Sequence, residues 1–229
     1  MGNLYIVSTP IGNLQDITLR AIEVLKKTVY IACEDTRKSG FLLKTLSSEF
    51  GSFGDKFLFS LYEENEVKRI DEVLNLLKND QDVALISDAG TPLISDPGFK
   101  LVRECVANGI KVESIPGPSS VISALVVSGL PTDKFTFVGF LPKKPGHRKQ
   151  FLENLKSSHQ LIKSTVIFFE SPFRLVKTLE ELFEVFGDLD LVVARELTKI
   201  HEEVKKDKVS ELIKFYKRKP VKSEVVFLF

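Results

Sequence analysis

Glu34-Asp35-Thr36-Arg37 places three ionisable groups within four positions, directly behind the apolar run Val29–Cys33. Such groups at the end of a buried strand either cap the next helix or present hydrogen-bonding atoms to a ligand cleft. A second polar cluster, Tyr62-Glu63-Glu64-Asn65-Glu66, follows the short run Phe57–Ser60. The stretch Ser87–Gly98 differs in kind: it is rich in hydroxyls and turn formers and poor in charge. A loop of that composition suits a small polar ligand held by main-chain groups, with Gly90 letting the backbone come close. Pro116-Gly117-Pro118 stiffens another connection, and Ser119 opens a helix whose free N–H groups could hold a carboxylate or hydroxyls. For each of these an ordinary structural loop is the alternative.

Other chemistries are bounded by what the chain lacks. Cys33, Cys105, His147, His159 and His201 are scattered, so no metal-ligand spacing exists. Both cysteines lie in apolar segments and read as buried free thiols of a reducing compartment, which makes a cytoplasmic protein the expectation. No apolar run approaches the ~18 residues of a membrane span, and the N-terminus has no signal-peptide pattern. The net charge of +1 carries no overall nucleic-acid signature, so any such binding must come from local patches. Lys143, Lys144, His147, Arg148 and Lys149 form one, among prolines and a glycine, and read as a mobile loop able to close over RNA. Lys205, Lys206 and Lys208 form a second, and Lys214, Lys217, Arg218, Lys219 and Lys222 a third; solvated lysine-rich faces are the alternative for these two. Phosphate contacts of this sort position RNA without reading its sequence.

These residues need a frame. In 229 residues with 43% hydrophobic content, strands are predicted at 4–7, 29–33, 57–60, 83–86 and 112–115. Helical spacing separates them: Leu19, Ile22 and Leu25; a short helix over 39–46; Val67, Ile70, Val73, Leu74 and Leu77; and Leu101, Val102, Cys105 and Val106 behind an Asp96-Pro97 start. Strands alternating with helices predict a mostly parallel α/β sheet with helices on both faces, over residues 1–115. From 116 to 229 strands follow one another more directly, which predicts a second, mixed α/β sheet.

Five stretches stand together in order: Ser8-Thr9-Pro10-Ile11-Gly12-Asn13-Leu14 with Asp16, Glu34-Asp35-Thr36-Arg37, Ser87-Asp88-Ala89-Gly90-Thr91-Pro92, Pro116-Gly117-Pro118-Ser119, and Ala194-Arg195-Glu196-Leu197-Thr198-Lys199. In this order and spacing the chain resembles the tetrapyrrole methylase superfamily, the class III S-adenosylmethionine-dependent methyltransferases. Within it, the chain is similar to the subgroup that methylates a cytidine 2′-oxygen in bacterial 16S ribosomal RNA. Tetrapyrrole-modifying relatives carry a Gly-rich, acidic first loop, whereas Thr9-Pro10-Ile11-Gly12-Asn13 stands here. Relatives often have histidine before the Asn65-Glu66 pair, and this chain has Glu64.

The resemblance implies two α/β domains, S-adenosylmethionine folded into the cleft between them, a homodimer, and 16S rRNA in the small ribosomal subunit as substrate. It puts cofactor contacts on Ile11, Gly90, Thr91, Ile94, Ser119, Ser120, Phe169 and Leu197. No metal and no membrane are implied. A ribose hydroxyl is a weak acid, so a proton acceptor is expected to help. Candidates are Glu34, Asp35, Asn65, Glu66, Glu170 and Glu196, with Asp35 and Glu66 favoured, and Arg37 and Arg195 orienting or stabilising. A structural hydrogen bond is the alternative for each. A tetrapyrrole-type small substrate, or cofactor binding without turnover, are the competing functions.

Overall fold

The computed structural model describes residues Met1–Phe229. The chain divides into two compact units, Met1–Ser119 and Ser120–Phe229.

In the first unit, β1 (Leu4–Val7), β2 (Tyr30–Cys33), β3 (Phe57–Ser60), β4 (Val83–Ile86) and β5 (Val112–Ile115) form a sheet of order β3-β2-β4-β1-β5. Every pairing is parallel, with Leu4 opposite both Val83 and Val112. Strands β1 and β4 are buried throughout, which is why they read as unbroken apolar runs. Alternate side chains feed opposite faces. Tyr5, Val7, Ala84 and Ile86 join Ile22, Leu25, Leu43 and Leu46 on one face. Leu4, Ile6, Val83 and Leu85 join Ile70, Val73, Leu77 and Leu101 on the other. The first face is covered by α1 (Leu19–Lys27) and α2 (Thr36–Phe50), the second by α3 (Glu66–Lys78) and α4 (Phe99–Ala107).

Helix α2 is longer than the 39–46 expected from sequence. The Asp35 side chain starts it by accepting from Arg37 N–H. Gly40 is accommodated inside the helix, and Ser47, expected to open a loop, continues it. Gly40 faces Leu58, where an added Cβ would lie 3.6 Å from Cδ1, and the Ser47 hydroxyl donates back to the Leu43 carbonyl. Three residues expected on inward stripes point out: Leu19, Val67 and Val106 are 74%, 63% and 64% exposed.

The second unit contains α5 (Ser120–Val127), β6 (Phe135–Phe140), α6 (Pro145–Ile162), β7 (Thr165–Glu170), α7 (Leu175–Phe186), β8 (Asp190–Arg195), β9 (Glu203–Lys208), α8 (Val209–Arg218) and β10 (Val225–Leu228). Its sheet runs β6-β7-β10-β8-β9. The β6–β7 pair is parallel and the others antiparallel, giving the expected mixed sheet. Strand β9, Glu-Val-Lys-Lys-Asp-Lys, was not expected; it lies at the sheet edge, where lysines discourage further strand pairing. Both cysteines are buried and free. No helix is long and apolar enough to cross a membrane.

Candidate functional site

Parallel strands leave their carboxyl ends on one edge of the sheet, and there the loops of the first unit are stitched together. Thr9 and Gly90 form an isolated antiparallel bridge, Thr9 N–H donating to the Gly90 carbonyl at 2.9 Å and Gly90 N–H to the Thr9 carbonyl at 3.0 Å. The Ser8 and Thr91 hydroxyls are 3.1 Å apart, and Thr91 donates onward to the Pro118 carbonyl at 3.0 Å. The loops after β1, β4 and β5 therefore share one hydrogen-bonded seam. Two glycines make the approach possible: an added Cβ would lie 2.9 Å from the Ser8 Cβ at Gly117 and 3.2 Å from the Ile11 Cγ2 at Gly90, whose φ is +83°.

The loop after β4 also stores strain. Leu93 and Ser95 adopt φ of +72° and +68°, in a region that disfavours both residue types. Each such residue costs on the order of 1–3 kcal/mol, and such strain concentrates at ligand clamps. Ile94 stands between them, 44% exposed. Beside the seam lies a cavity of ≈ 480 Å³, with Ile11, Gly12, Arg37, Phe41 and Asp88 among its walls.

The charged residues at this edge pair with one another. Asp35 accepts from the Arg37 backbone at 2.9 Å and from its guanidinium at 3.1 and 2.8 Å. Those bonds hold the Asp35 carboxyl well below the ordinary carboxylate range, so it is a poor proton acceptor near neutral pH. Asp88 accepts from Asp35 N–H at 3.3 Å and from Lys38, whose ammonium it pushes above its usual pKa.

Two expected catalytic residues make hydrogen bonds that hold local structure. Glu66 is 4% exposed, and its Oε1 accepts from the backbone N–H of Gly98, Lys100 and Leu101 at 3.2, 2.8 and 3.3 Å. It thus caps α4 from the start of α3, and the positive helix end holds the carboxylate there. Asn65 locks the preceding turn: its carbonyl accepts from Tyr62 N–H at 2.8 Å and its amide donates to the Ser60 carbonyl at 3.0 Å. The second Glu66 oxygen, Oε2, lies 3.7 Å from the Lys100 ammonium.

In the second unit the expected mobile basic loop is pinned. Pro145 is the first residue of α6, and Arg148 is 1% exposed. Its guanidinium pairs with Glu181 and donates to the Pro142 and Lys143 carbonyls at 3.2 and 3.1 Å. Arg174, itself bonded to Glu170, donates to the Leu141 carbonyl at 3.2 Å. Arg148 is therefore a clamp and cannot meet RNA, whereas Lys143, Lys144 and Lys149 remain exposed. Glu170 is fully buried, accepting from Ser171 N–H at 2.6 Å and the Thr178 hydroxyl at 2.6 Å. Arg195 pairs with Glu203 at 2.8 Å.

Of the expected cofactor residues, Ile11, Gly90, Thr91 and Ser119 belong to the stitched loops of the first unit and Ile94 to its strained segment. Ser120, Phe169 and Leu197 belong to the second unit, where Phe169 packs its ring against Phe137 and Phe140 at 5.0 and 5.3 Å and Leu197 is 7% exposed. Glu196 and Thr198, on either side of Leu197, again have positive φ, at 50° and 66°. In the sequence Ser8 stands only as part of its motif; its place against Gly117 and Thr91 is a long-range contact.

Residues 3–213 match the family model for Tetrapyrrole (Corrin/Porphyrin) Methylases. The chain belongs to this family. It is 47% identical over 229 residues to "Ribosomal RNA small subunit methyltransferase I" of Thermotoga maritima, covering 100% of this chain and 98% of that one. The protein of the same name from Escherichia coli O157:H7 is 46% identical, over 94% of this chain and 72% of its own length. Among solved structures, uroporphyrin III C-methyl transferase from Thermus thermophilus superposes with a TM-score of 0.66 at 19% identity, covering 99% of this chain and 97% of that one. A diphthine synthase superposes at 0.71 and 17% identity, covering 100% and 90%. At those identities the likeness concerns the fold alone.

Proposed function

We propose that this protein is an S-adenosylmethionine-dependent methyltransferase that methylates the ribose 2′-oxygen of a cytidine in 16S ribosomal RNA of the small subunit. The observation that carries the reading is the 47% identity, along the full chain, to a relative named as a small-subunit ribosomal RNA methyltransferase. The stitched loops suit the cofactor: glycine cradles at Gly90 and Gly117 bring main chain close, and little uncompensated charge stands between them. In this reading Ile11, Gly90, Thr91, Ile94 and Ser119 hold it from the first unit, and Ser120, Phe169 and Leu197 from the second.

When bound, S-adenosylmethionine supplies a methyl group already activated by its sulfonium. The protein's share of the work is then chiefly positioning, which can account for much of the barrier reduction. Because Arg37 keeps Asp35 ionised and fully engaged, the pair orients the acceptor strand and its carboxylate does not take the proton. Lys143, Lys144 and Lys149 contact RNA phosphates. A cytoplasmic homodimer is the proposed working form, on the family resemblance.

The test incubates the protein with labelled S-adenosylmethionine and small ribosomal subunits lacking the modification, with a uroporphyrin-type tetrapyrrole as a parallel substrate. Label entering the 16S rRNA alone is expected. Label entering only the tetrapyrrole, or cofactor binding with no transfer, would overturn the reading.

A further inference from the structure

In sequence the basic residues of the second unit fall into separate stretches, at 205–208 and 214–222. Folding joins them, because the edge strand β9 lies beside α8. Lys205, Lys214, Arg218 and Lys219 line one cavity of ≈ 510 Å³, together with Asp207, Glu211 and Phe215. Four cations and two carboxylates line it, and the neighbouring Glu203 pairs with Lys219, so Arg218 is left as the lining cation without a carboxylate partner. Asp207 is 3.5 Å from Lys205 and Glu211 is 2.7 Å from Lys214, while Arg218 is exposed and makes no ion pair.

Two of the cations are held in place. The ammonium groups of Lys205 and Lys219 sit 4.7 and 5.4 Å from the centre of the Phe215 ring, a cation–π geometry that restricts otherwise mobile side chains. Lys219 also reaches Glu203 at 2.8 Å, and Glu203 is gripped from behind by Arg195 at 2.8 Å and the Tyr216 hydroxyl at 3.1 Å. Loose surface lysines lack such support and contribute little directed binding.

We infer that this basin seats phosphodiester groups of RNA, so that the second unit grips the substrate backbone at a place separate from the Lys143–Lys149 segment. A planar guanidinium beside point-like ammoniums is the donor set that phosphate takes, and such contacts set position without reading bases. The inference deepens the RNA-methylation reading above and rests on it.

The experiment compares wild type, a Lys214→Gln/Arg218→Gln variant, and a Lys44→Gln/Lys68→Gln control of equal charge loss on the first unit. Binding to intact small ribosomal subunits and to protein-free 16S rRNA is measured across a series of salt concentrations. The basin variant is expected to bind both probes about tenfold more weakly, with a log–log salt slope shallower by about 1.4–1.8, corresponding to the loss of two phosphate contacts. The control should move far less, and the basin variant's affinity for S-adenosylmethionine should stay at the wild-type value. An unchanged slope, or equal losses in basin and control, would overturn the inference. A loss on intact subunits but not on protein-free RNA would also overturn it, assigning the surface to a ribosomal protein. Absence of methyl transfer by wild type would sink the functional reading alone, since the salt slopes judge the basin independently.

Discussion

In the first unit, polar atoms at the strand ends are spent on one another: Thr9 on Gly90, Thr91 on Ser8 and Pro118, Asp35 on Arg37, Asp88 on Lys38. What is left at the seam is main chain, brought close by glycines and held in part in strained conformations. In the second unit the basin on β9 and α8 gathers four cations, two of which, Lys205 and Lys219, rest on the Phe215 ring, with Lys219 also tied to the half-buried Glu203. Under the proposed function, the contrast teaches that the two regions are built to recognise different things. Backbone geometry with compensated charge selects a small molecule by shape, whereas a supported cluster of cations attracts a polyanion and is weakened by salt.

The comparison can be broken most forcefully at the clamp that separates structural from binding cations. Replacing Arg148 by Ala leaves Glu181 without its partner and releases the carbonyls at Pro142 and Lys143. Removing one member of such a buried pair is expected to cost about 3–5 kcal/mol, read by urea denaturation. If Arg148 were a surface RNA contact, stability would hardly move and RNA affinity would fall instead.

At the seam, Gly117→Ala would drive a methyl group against the Ser8 side chain and part the loops after β1 and β5. Calorimetric titration with S-adenosylmethionine should show affinity lower by tenfold or more, about 1.4 kcal/mol at least. RNA binding should be unaltered, which keeps the two regions independent.

Glu66→Gln sharpens the distinction between capping and catalysis. Removing a charge from the start of α4 should cost about 1–2 kcal/mol of stability, with no change in the shape of the pH–rate profile. Loss of a general base would instead lower turnover by about 10²–10⁴-fold.

The smallest effect concerns pH. Bonds from Arg195 first, then Lys219 and Tyr216, bring the Glu203 carboxyl down to about 2 from an ordinary 4.5. Its folded-state pKa is depressed, so the stability it contributes is complete above about pH 4.5 and fades as pH falls toward 2. Glu203→Gln should flatten that part of the acid-denaturation curve, by an amount on the order of 1 kcal/mol after solvent screening.

Much of the frame was legible because it is local. The apolar runs of β1 and β4, the helical stripes of α3 and α4, and the turn-rich loop after β4 follow from period and composition. Chain order of the motifs identified the family. What escaped depends on distant partners. Nothing near Glu66 announces that it caps a helix starting more than thirty residues later. Arg148 reads as a surface cation until Glu181, on another helix, is brought to it. Strand β9 alternates charges without an apolar face, so only its pairing with β8 makes it a strand. The basin is visible only once β9 and α8 lie side by side.

The account stands most directly on where the methyl group goes. After reaction with small subunits, the labelled 16S rRNA is hydrolysed in alkali, which cleaves next to every free 2′-hydroxyl and spares a methylated one. The label should emerge in an alkali-resistant dinucleotide whose 5′ residue is cytidine. Label released as an ordinary mononucleotide, and thus carried on a base, would contradict it.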